Sequence, residues 1–330
     1  MKRWIGLFCA LLLTGCSPVP EDRQPGDLDI TIEHTTTEVV ELNMIENKVS
    51  LGNYTGIDKK IYIQSELINQ EGDSVISSTK VINVMNEQLI TAWPSLLLND
   101  SIPTGRYTSK ITVWGEEPGQ EESGFLNIST SESEILYYQN IDNFDFIDEE
   151  IWKISSKMLA ETALEKENVF SQDGFLHMKL SKDKIDGGEI QSVEEYGHGV
   201  YEIRMKLPSV ESAITGFFMY VEPDFYYEID MELFNDSSGT LLLTTYADGD
   251  VSNAEEYILG FDPTADFHTY RFEYSEKQID YYVDQELVQT FNQGIPKKNM
   301  RLMVNCWYPT WRGLNPTVED QELLVDWIKY

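Results

Sequence analysis

The stretch that decides the fold is Tyr226-Tyr227-Glu228-Ile229-Asp230-Met231-Glu232-Leu233-Phe234, in which acidic and apolar residues alternate. Successive side chains of a β-strand point to opposite faces, so Glu228, Asp230 and Glu232 would share one face of a strand. The apolar residues between them would then pack into a core. Three neighbouring carboxylates repel one another and cost stability. The pattern therefore predicts a strand whose acidic face has a chemical use.

The same alternation also describes an ordinary strand with one solvated face in an acidic chain. Aromatic residues, however, flank the acids on both sides, namely Phe217, Phe218, Tyr220, Phe225 and Phe234. Aromatic rings beside carboxylates suit a sugar, whose ring has apolar faces and a polar rim. Glycoside hydrolysis needs one carboxylate as nucleophile or base and one carboxylic acid that protonates the leaving oxygen. The flanks therefore favour a glycosidase cleft over a solvated face.

The sequence from Phe144 to Tyr330 is composed almost entirely of strand and turn signals. Its strand candidates are residues 175–180, 199–206, 215–221, 227–234, 241–246, 268–274, 279–283, 286–291, 301–307 and 321–329. The only stretch compatible with a helix is 149–162. About ten strands in fewer than two hundred residues predict an all-β fold, a concanavalin-like jelly roll of two sheets, over residues 140–330.

Residues 28–135 carry shorter apolar runs that are separated by turn signals. One run extends from Tyr107 to Trp114 and follows the turn Pro103-Thr104-Gly105. Roughly a hundred residues with about seven such strands predict an immunoglobulin-like β-sandwich. We expect this smaller domain to precede the jelly roll and to act as a spacer or as a glycan-binding platform.

The N-terminus resembles the signal of a bacterial lipoprotein. Basic residues in Met1-Lys2-Arg3 are followed by a short apolar run and by Leu13-Thr14-Gly15-Cys16. The run is too short to span a bilayer. We expect residues 1–15 to be a signal peptide, Cys16 to be lipidated and residues 16–27 to be a tether. The protein would then be an exported, membrane-anchored lipoprotein that faces the extracellular or periplasmic side; the alternative is a plain secretory signal with a chance cysteine.

The charge of the chain limits its partners. The formal net charge is −33 at pH 7, and it becomes −35 without residues 1–15, which contain Lys2 and Arg3 but no acids. Nucleic acids and anionic glycans are bound through lysine and arginine, so this charge argues against both. A neutral β-linked polysaccharide is compatible with it. Cys306 lies in an apolar run, which predicts a buried small hydrophobe.

Longer motifs support a resemblance to a known family. They are, in order, Tyr196-Gly197-His198-Gly199-Val200-Tyr201-Glu202, Gly216-Phe217-Phe218-Met219-Tyr220, Glu228-Ile229-Asp230-Met231-Glu232, Leu259-Gly260-Phe261-Asp262, Asn305-Cys306-Trp307 and Asp326-Trp327-Ile328-Lys329-Tyr330. With these motifs the chain resembles glycoside hydrolase family 16 over about residues 144–330, more than half its length, and, within that family, bacterial lichenases, the β-1,3-1,4-glucanases. The resemblance implies a retaining endo-β-glucanase that hydrolyses β-1,3-1,4-linked or related β-glucans by double displacement.

The resemblance implies a role for each acid. Glu228 matches the nucleophile, Glu232 the general acid that later serves as base, and Asp230 the residue that tunes their protonation. The two glutamates lie about 13 Å apart along a flat strand, whereas the carboxyls of a retaining pair are about 5–5.5 Å apart, so the face must be concave. We expect coupled titration that leaves one acid protonated near neutrality, and the resemblance assigns that proton to Glu232.

The resemblance also implies sugar contacts at Glu189, Phe218, Tyr246, Asn305 and Trp307. Phe218 and Trp307 could instead be core residues, and Asn305 could be a turn residue. The acids could also belong to a non-catalytic glycan-binding lipoprotein, although a lectin gains nothing from their repulsion.

The chain departs from the lichenase pattern at other substrate positions. Gln191 stands where lichenases carry arginine, Tyr226 where they carry tryptophan, and Thr244 where they carry asparagine. Loss of a bidentate donor and of a larger ring changes which glucan fits. The alternatives are therefore β-1,3-glucan or xyloglucan as substrate, and glycosyl transfer in place of hydrolysis.

A structural calcium ion is a further implication of the resemblance. Lichenase-like proteins often hold one through an aspartate that matches Asp326 and a backbone carbonyl that matches Gly174. Calcium takes six to eight oxygen ligands, and a buried capping role for Asp326 is an equal alternative. The chemistry itself is expected to require no cofactor.

Overall fold

A computed structural model of the chain describes residues 28–41, 44–99, 101–116 and 126–330. The predicted signal peptide, Cys16 and the tether lie outside the described residues. Within the described residues, no helix has the length and apolar character needed to cross a membrane. The chain divides into two compact units, the second of which comprises Pro103–Gly105 and Tyr138–Tyr330.

The first unit is built from strands alone. The strands are β1 (Leu28–His34), β2 (Glu38–Val40), β3 (Met44–Asn53), β4 (Lys59–Ile68), β5 (Ser74–Val84), β6 (Gln88–Ala92), β7 (Ser95–Leu97), β8 (Gly105–Glu116) and β9 (Leu126–Tyr138). One sheet has the order β1-β3-β6, with β7 paired to β3, and the other has the order β2-β9-β8-β4-β5. The apolar alternation places residues such as Ile61, Ile63 and Val113 in the core. The assignment of the first unit as immunoglobulin-like stays a prediction.

The second unit is also formed by strands, joined by loops and two short 3₁₀ turns. The strands are β10 (Ile141–Asp142), β11 (Trp152–Ile154), β12 (Lys157–Leu159), β13 (Thr162–Leu164), β14 (Val169–Gln172), β15 (Phe175–Leu180), β16 (Asp186–Ser192), β17 (Gly199–Lys206), β18 (Ile214–Val221), β19 (Tyr227–Phe234), β20 (Thr240–Ala247), β21 (Asp250–Ile258), β22 (His268–Tyr274), β23 (Ile279–Val283), β24 (Glu286–Phe291), β25 (Arg301–Trp307) and β26 (Gln321–Lys329).

Two sheets share one core in this unit. The first has the order β14-β15-β26-β17-β22-β23-β24, with β10 on β26; the second has the order β12-β13-β16-β25-β18-β19-β20-β21, with β11 on β16. Ile229, Met231 and Leu233 of β19 are fully buried in the common core. The rings of Phe217 in β18 and Phe272 in β22 lie 5.2 Å apart and join the two sheets. Each large apolar side chain buried in this way contributes about 1.5–3 kcal/mol.

The predicted strands of this unit agree with the structure, but the helix over 149–162 is wrong. That stretch forms β11 and β12, and Trp152 and Ile154 pair with Ser192 and Ile190 of β16. Trp152 is fully buried. Local helix propensity is a weak preference, and here the backbone pairing with β16 and the burial of the indole outweigh it.

Cys306 has the predicted role of a buried small hydrophobe. Its side chain is fully buried in the shared core, and its Sγ accepts a hydrogen bond from Nδ2 of Asn235 at 3.4 Å. Burial raises the pKa of the Cys306 thiol to about 12. The thiol is therefore protonated and unreactive at neutral pH.

Candidate active site

The antiparallel register aligns the predicted site residues in rows across the second sheet. In one row, Glu232 of β19 lies opposite Gly216 of β18, which lies opposite Asn305 of β25, which lies opposite Glu189 of β16. The next row on this face contains Asp230, Phe218, Met303 and Gln191, and a third contains Tyr246, Glu228, Tyr220 and Arg301. Even spacing along each strand thus brings residues from five strands onto one face.

A cleft of ≈ 1240 Å³ lies on this face of the sheet. Every predicted catalytic residue lines it, as do most of the predicted sugar contacts: Glu189, Gln191, Phe218, Tyr246, Asn305 and Trp307. Thr244 lines it as well. The alternative of a plain solvated face does not hold, since Asp230 is only 6% exposed.

Tyr226 is the predicted site residue that does not line the cleft. Its ring contacts the ring of Tyr227 and covers the turn at Gly249, where an added Cβ would lie 3.0 Å from it. Strand β19 begins only at Tyr227, so the alternation that would direct residue 226 toward the cleft does not reach it. Phe225, with a φ of +64°, lines the cleft instead, and its ring lies 5.4 Å from that of Tyr246.

The three acids of β19 share a raised affinity for protons. Burial raises the pKa of Glu228 to about 7, and the charge of Glu232 acts in the same direction. Burial alone raises the pKa of Glu232 to about 7. Both values are close to neutral pH, where a carboxyl group can serve as acid in one step and as base in the next.

The pKa of Asp230 is raised as well. Its side chain is buried between them, and burial together with the charges of Glu228 and Glu232 raises the pKa of Asp230 well above its ordinary value. A hydrogen bond joins Asp230 to Glu228; it raises the pKa of Asp230 and lowers that of Glu228. Protonated Asp230 therefore donates to the Glu228 carboxylate. The sequence predicted a proton on Glu232 alone, whereas burial also favours the protonated form of Asp230.

This titration predicts how stability depends on pH. A carboxyl whose pKa is higher in the folded chain than in the unfolded chain contributes stability at low pH, and that contribution is lost as pH rises through the folded-state pKa. Asp230→Asn removes one carboxyl group whose contribution to stability is lost as pH rises. The amide of the variant keeps an N–H donor toward Glu228. The melting temperature of the variant should fall less between pH 5 and pH 8 than that of the wild type. An unchanged pH slope would show that Asp230 is ionised in the folded protein.

Glu189 lies at the other end of its row in a dense polar network. Oε1 accepts a hydrogen bond from Oγ of Ser155 at 2.6 Å and is paired with Nζ of Lys157 at 2.9 Å, while Oε2 accepts from Nδ2 of Asn305 at 3.4 Å. Glu189 itself is 1% exposed. The network supplies the partners that a carboxyl group needs at such burial.

Asn305 has an acceptor left over for a ligand. Its Oδ1 is buried and has no hydrogen-bond partner among the described residues. The same oxygen lies over Gly216, where an added Cβ would approach it to 2.7 Å. Gly216 therefore makes room for the Asn305 amide, which a side chain at this position would displace. A sugar hydroxyl that reaches Oδ1 would supply the missing donor.

Several cleft residues escaped the sequence prediction, including Arg301, Met303, Lys157 and Trp311. Arg301 and Met303 could have been found, because they alternate with Asn305 and Trp307 along β25. Lys157 lies in a hairpin that the sequence suggested as helix. Trp311, 56% exposed, lies in a 3₁₀ turn beside Phe234, and its position depends on tertiary contacts alone.

The residues at the predicted calcium site do not fit that ion. Asp326 accepts a hydrogen bond from Nη1 of Arg204, whose guanidinium also lies 4.8 Å from the ring of Phe267. A cation thus already neutralises the carboxylate that would ligate calcium. Over the described ranges, no three His, Cys, Asp or Glu side chains are grouped so that they could hold a metal. Gly174, at a φ of +79°, is accounted for by the turn between β14 and β15.

We therefore expect thermal unfolding to be insensitive to calcium. The melting temperature measured with a chelator should match that measured with millimolar calcium within about 1 °C, since a ligand that does not bind the native state cannot stabilise it. A rise of several degrees with calcium that is absent in Asp326→Asn would contradict this expectation.

Comparisons with known proteins agree with this geometry. A sequence profile described as "Glycosyl hydrolases family 16" matches residues 157–329. A β-glucanase of Paenibacillus polymyxa is 33% identical over 176 residues, which are 49% of this chain and 72% of that protein. The structure of a Bacillus licheniformis β-glucanase is 26% identical with a TM-score of 0.54, covering 58% of this chain and 96% of the other. A laminarinase domain of Thermotoga petrophila, 22% identical, covers 57% of this chain and 94% of its own with a TM-score of 0.51, and shares the fold.

Proposed function

The chain belongs to glycosyl hydrolases family 16 and is a glycoside hydrolase, and we propose that it is a retaining endo-β-glucanase. The proposal depends on the three acids on one face of β19, which all line the cleft and all have a raised pKa. Two of them supply the nucleophile and the acid that the reaction needs. Glucanases of this family need no cofactor for catalysis.

In the first step, a carboxylate oxygen of Glu228 attacks the anomeric carbon of the bound sugar. The bond from that carbon to the glycosidic oxygen breaks, and the electron pair passes to the leaving oxygen, which takes the proton of Glu232. The products are a glycosyl ester on Glu228 and a free alcohol on the leaving sugar. The hydrogen bond from Asp230 lowers the pKa of Glu228 against the effect of burial and so favours the carboxylate form that attacks.

In the second step, water replaces the departed sugar. Glu232, now a carboxylate, removes a proton from this water as its oxygen attacks the anomeric carbon, and the ester bond to Glu228 breaks. Two inversions at the same carbon retain its configuration. Both glutamates return to their starting protonation states, so the cycle is balanced.

The cleft favours a neutral glucan. Aromatic rings of Phe218, Tyr246, Phe225 and Trp307 line it together with polar side chains, which suits pyranose rings. The net charge of −33 disfavours an anionic polymer. We propose β-1,3-1,4-linked or closely related β-glucan as the substrate, while β-1,3-glucan, xyloglucan and glycosyl transfer remain the alternatives on the same machinery.

Release of reducing sugar from a panel of mixed-linkage glucan, β-1,3-glucan and xyloglucan would test the proposal. Proton NMR of the first product should show the β-anomer before mutarotation, and viscosity should fall early if cleavage is internal. An initial α-anomer would refute the retaining mechanism. Absence of cleavage across the panel would refute the function.

We further propose that the protein is exported and anchored by lipid at Cys16. The support is the sequence order of basic residues, apolar run and Leu13-Thr14-Gly15-Cys16. A terminus that carries more than one acyl chain would hold the enzyme at a membrane while the tether leaves the cleft accessible to polymer. Labelling with a fatty-acid analogue should mark the wild type and not Cys16→Ser.

A further inference from the structure

One wall of the cleft is a short hairpin made by β12 and β13. Lys157, Met158 and Leu159 of β12 all line the cleft, and the turn passes through Ala160 at a φ of +49°. Met158 is 62% exposed. The parallel pairing of β13 with β16, from Ala163 opposite Asp186 to Leu164 opposite Gly187, attaches the hairpin to the strand that carries Glu189. The wall is therefore positioned relative to the sheet floor by backbone pairing.

Lys157 and Glu189 form an ion pair with very unequal exposure. Their contact is 2.9 Å, and the side chains are 48% and 2% exposed, respectively. Lys157 therefore pairs with a buried carboxylate through its ammonium group, while the exposed part of its side chain lines the cleft. Removing one partner of such a pair leaves the other charge unpaired, which is costly when that charge is buried.

Lys157 has N–H donors that its ion pair leaves available for a ligand. An ammonium group has three N–H donors, and the contact with Glu189 uses one of them. Asn305, which is joined to Glu189 by its Nδ2, contributes the unpartnered Oδ1 acceptor on the same row. The remaining N–H donors of Lys157 suit sugar hydroxyl groups, which accept hydrogen bonds.

The row also sets how far this contact lies from the reaction. Three steps between neighbouring strands separate Glu189 from Glu232, which is about 14 Å at the usual strand spacing. A sugar at Lys157 is thus not the sugar whose bond breaks. Contacts made equally in the ground state and the transition state change KM and leave kcat unchanged.

We propose that Lys157 is a specificity-determining residue that binds a remote sugar unit of the glucan by donating to its hydroxyl groups while holding Glu189 in place. This inference rests on the proposed function and adds to it the residue that selects long substrates. Oligosaccharides that extend past Glu189 gain the contact, whereas short chromogenic glycosides that span only the cleavage point do not.

The test is Lys157→Met, which keeps the length and apolar character of the side chain. KM for a long glucan oligosaccharide should rise about tenfold, the loss of one hydrogen bond from a charged donor, with kcat unchanged. KM for a short chromogenic glycoside should stay the same. Lys157→Arg should recover most of the affinity. The matched control is Lys166→Met, because Lys166 pairs at 3.7 Å with the exposed Glu149 and lies outside the cleft lining.

A second comparison separates contact from general charge. Lys153→Met removes the same charge from the same cleft, so an equal rise in KM for that variant would overturn the proposal. In Glu189→Gln, the further change of Lys157→Met should have a smaller effect than in the wild type, because the two residues act together. If the wild type cleaves glucan and Lys157→Met keeps its KM for long oligosaccharides, the inference alone fails. If the wild type cleaves no glucan, the proposed function fails first and takes this inference with it.

Discussion

Glu228→Gln is expected to reduce glucan hydrolysis by about 10⁴-fold or more, the scale seen when a covalent nucleophile is removed. The amide has the size of the carboxylate but cannot form the glycosyl ester. The side chain is largely buried and has a raised pKa, so the neutral amide removes an electrostatic cost and should not lower the melting temperature. Initial rates on soluble glucan, with thermal unfolding in parallel, would measure both effects.

A rescue experiment makes the assignment specific. Glu228→Ala opens space in which azide can attack the anomeric carbon of a substrate with a good leaving group, and the product should be the α-glycosyl azide. Glu255→Gln is the matched control, because Glu255 is an exposed acid of β21 outside the cleft lining, and its activity should equal that of the wild type. Wild-type rates in Glu228→Gln would exclude Glu228 as the nucleophile.

Glu232→Gln is expected to lower the hydrolysis of glucan by about 10²–10⁴-fold, the contribution of a positioned general acid. The loss should depend on the leaving group. An aryl glycoside whose phenol leaves without protonation should still form the glycosyl ester, and this ester should accumulate as a burst of released phenol. Azide should rescue Glu232→Ala to the β-glycosyl azide, the opposite anomer from that formed by the Glu228 variant.

The pH profile gives a second measurement of the same residue. Burial raises the pKa of Glu232 to about 7 in the free protein. The proton needed by the leaving oxygen is therefore lost as pH rises through neutrality, and kcat/KM for glucan should fall on the alkaline side with an apparent pKa of that magnitude. This alkaline limb should vanish in Glu232→Gln. Its persistence there would mean that another group governs it.

Strands could be predicted best where polar and apolar residues alternate over many positions. Strand β19 begins and ends where apolar and polar residues alternate, because one of its faces must enter the core. Its three acids could be assigned to one face for this reason alone, whereas Asn305 and Trp307 in the apolar run of β25 were predicted from the family resemblance. The stretch 149–162 has no such period, and its two short strands exist only because β16 and β13 are there to pair with them.

Alternation did not predict the position of Tyr226, because this residue precedes the strand. Its position two residues before Glu228 would direct it to the cleft on a continuous strand, yet the chain turns between Pro223 and Tyr226, where the amide of Tyr226 donates to the Pro223 carbonyl at 3.1 Å. The positive φ of Phe225 belongs to that turn, and the ring of Phe225 lines the cleft in place of the ring of Tyr226. Turn geometry of this kind depends on backbone torsions rather than on a periodic pattern.

The order of residues by itself determined the all-β class of the second unit and predicted that the three acids of β19 share one face, since alternation and residue type are local properties. Tertiary structure decided that burial raises the pKa of Asp230, that Lys157 reaches Glu189, and that Arg204 pairs with the carboxylate expected to hold calcium. Those outcomes depend on burial and on distances between residues far apart in the chain. Desolvation and Coulomb energies are set by such distances, and no local pattern contains them.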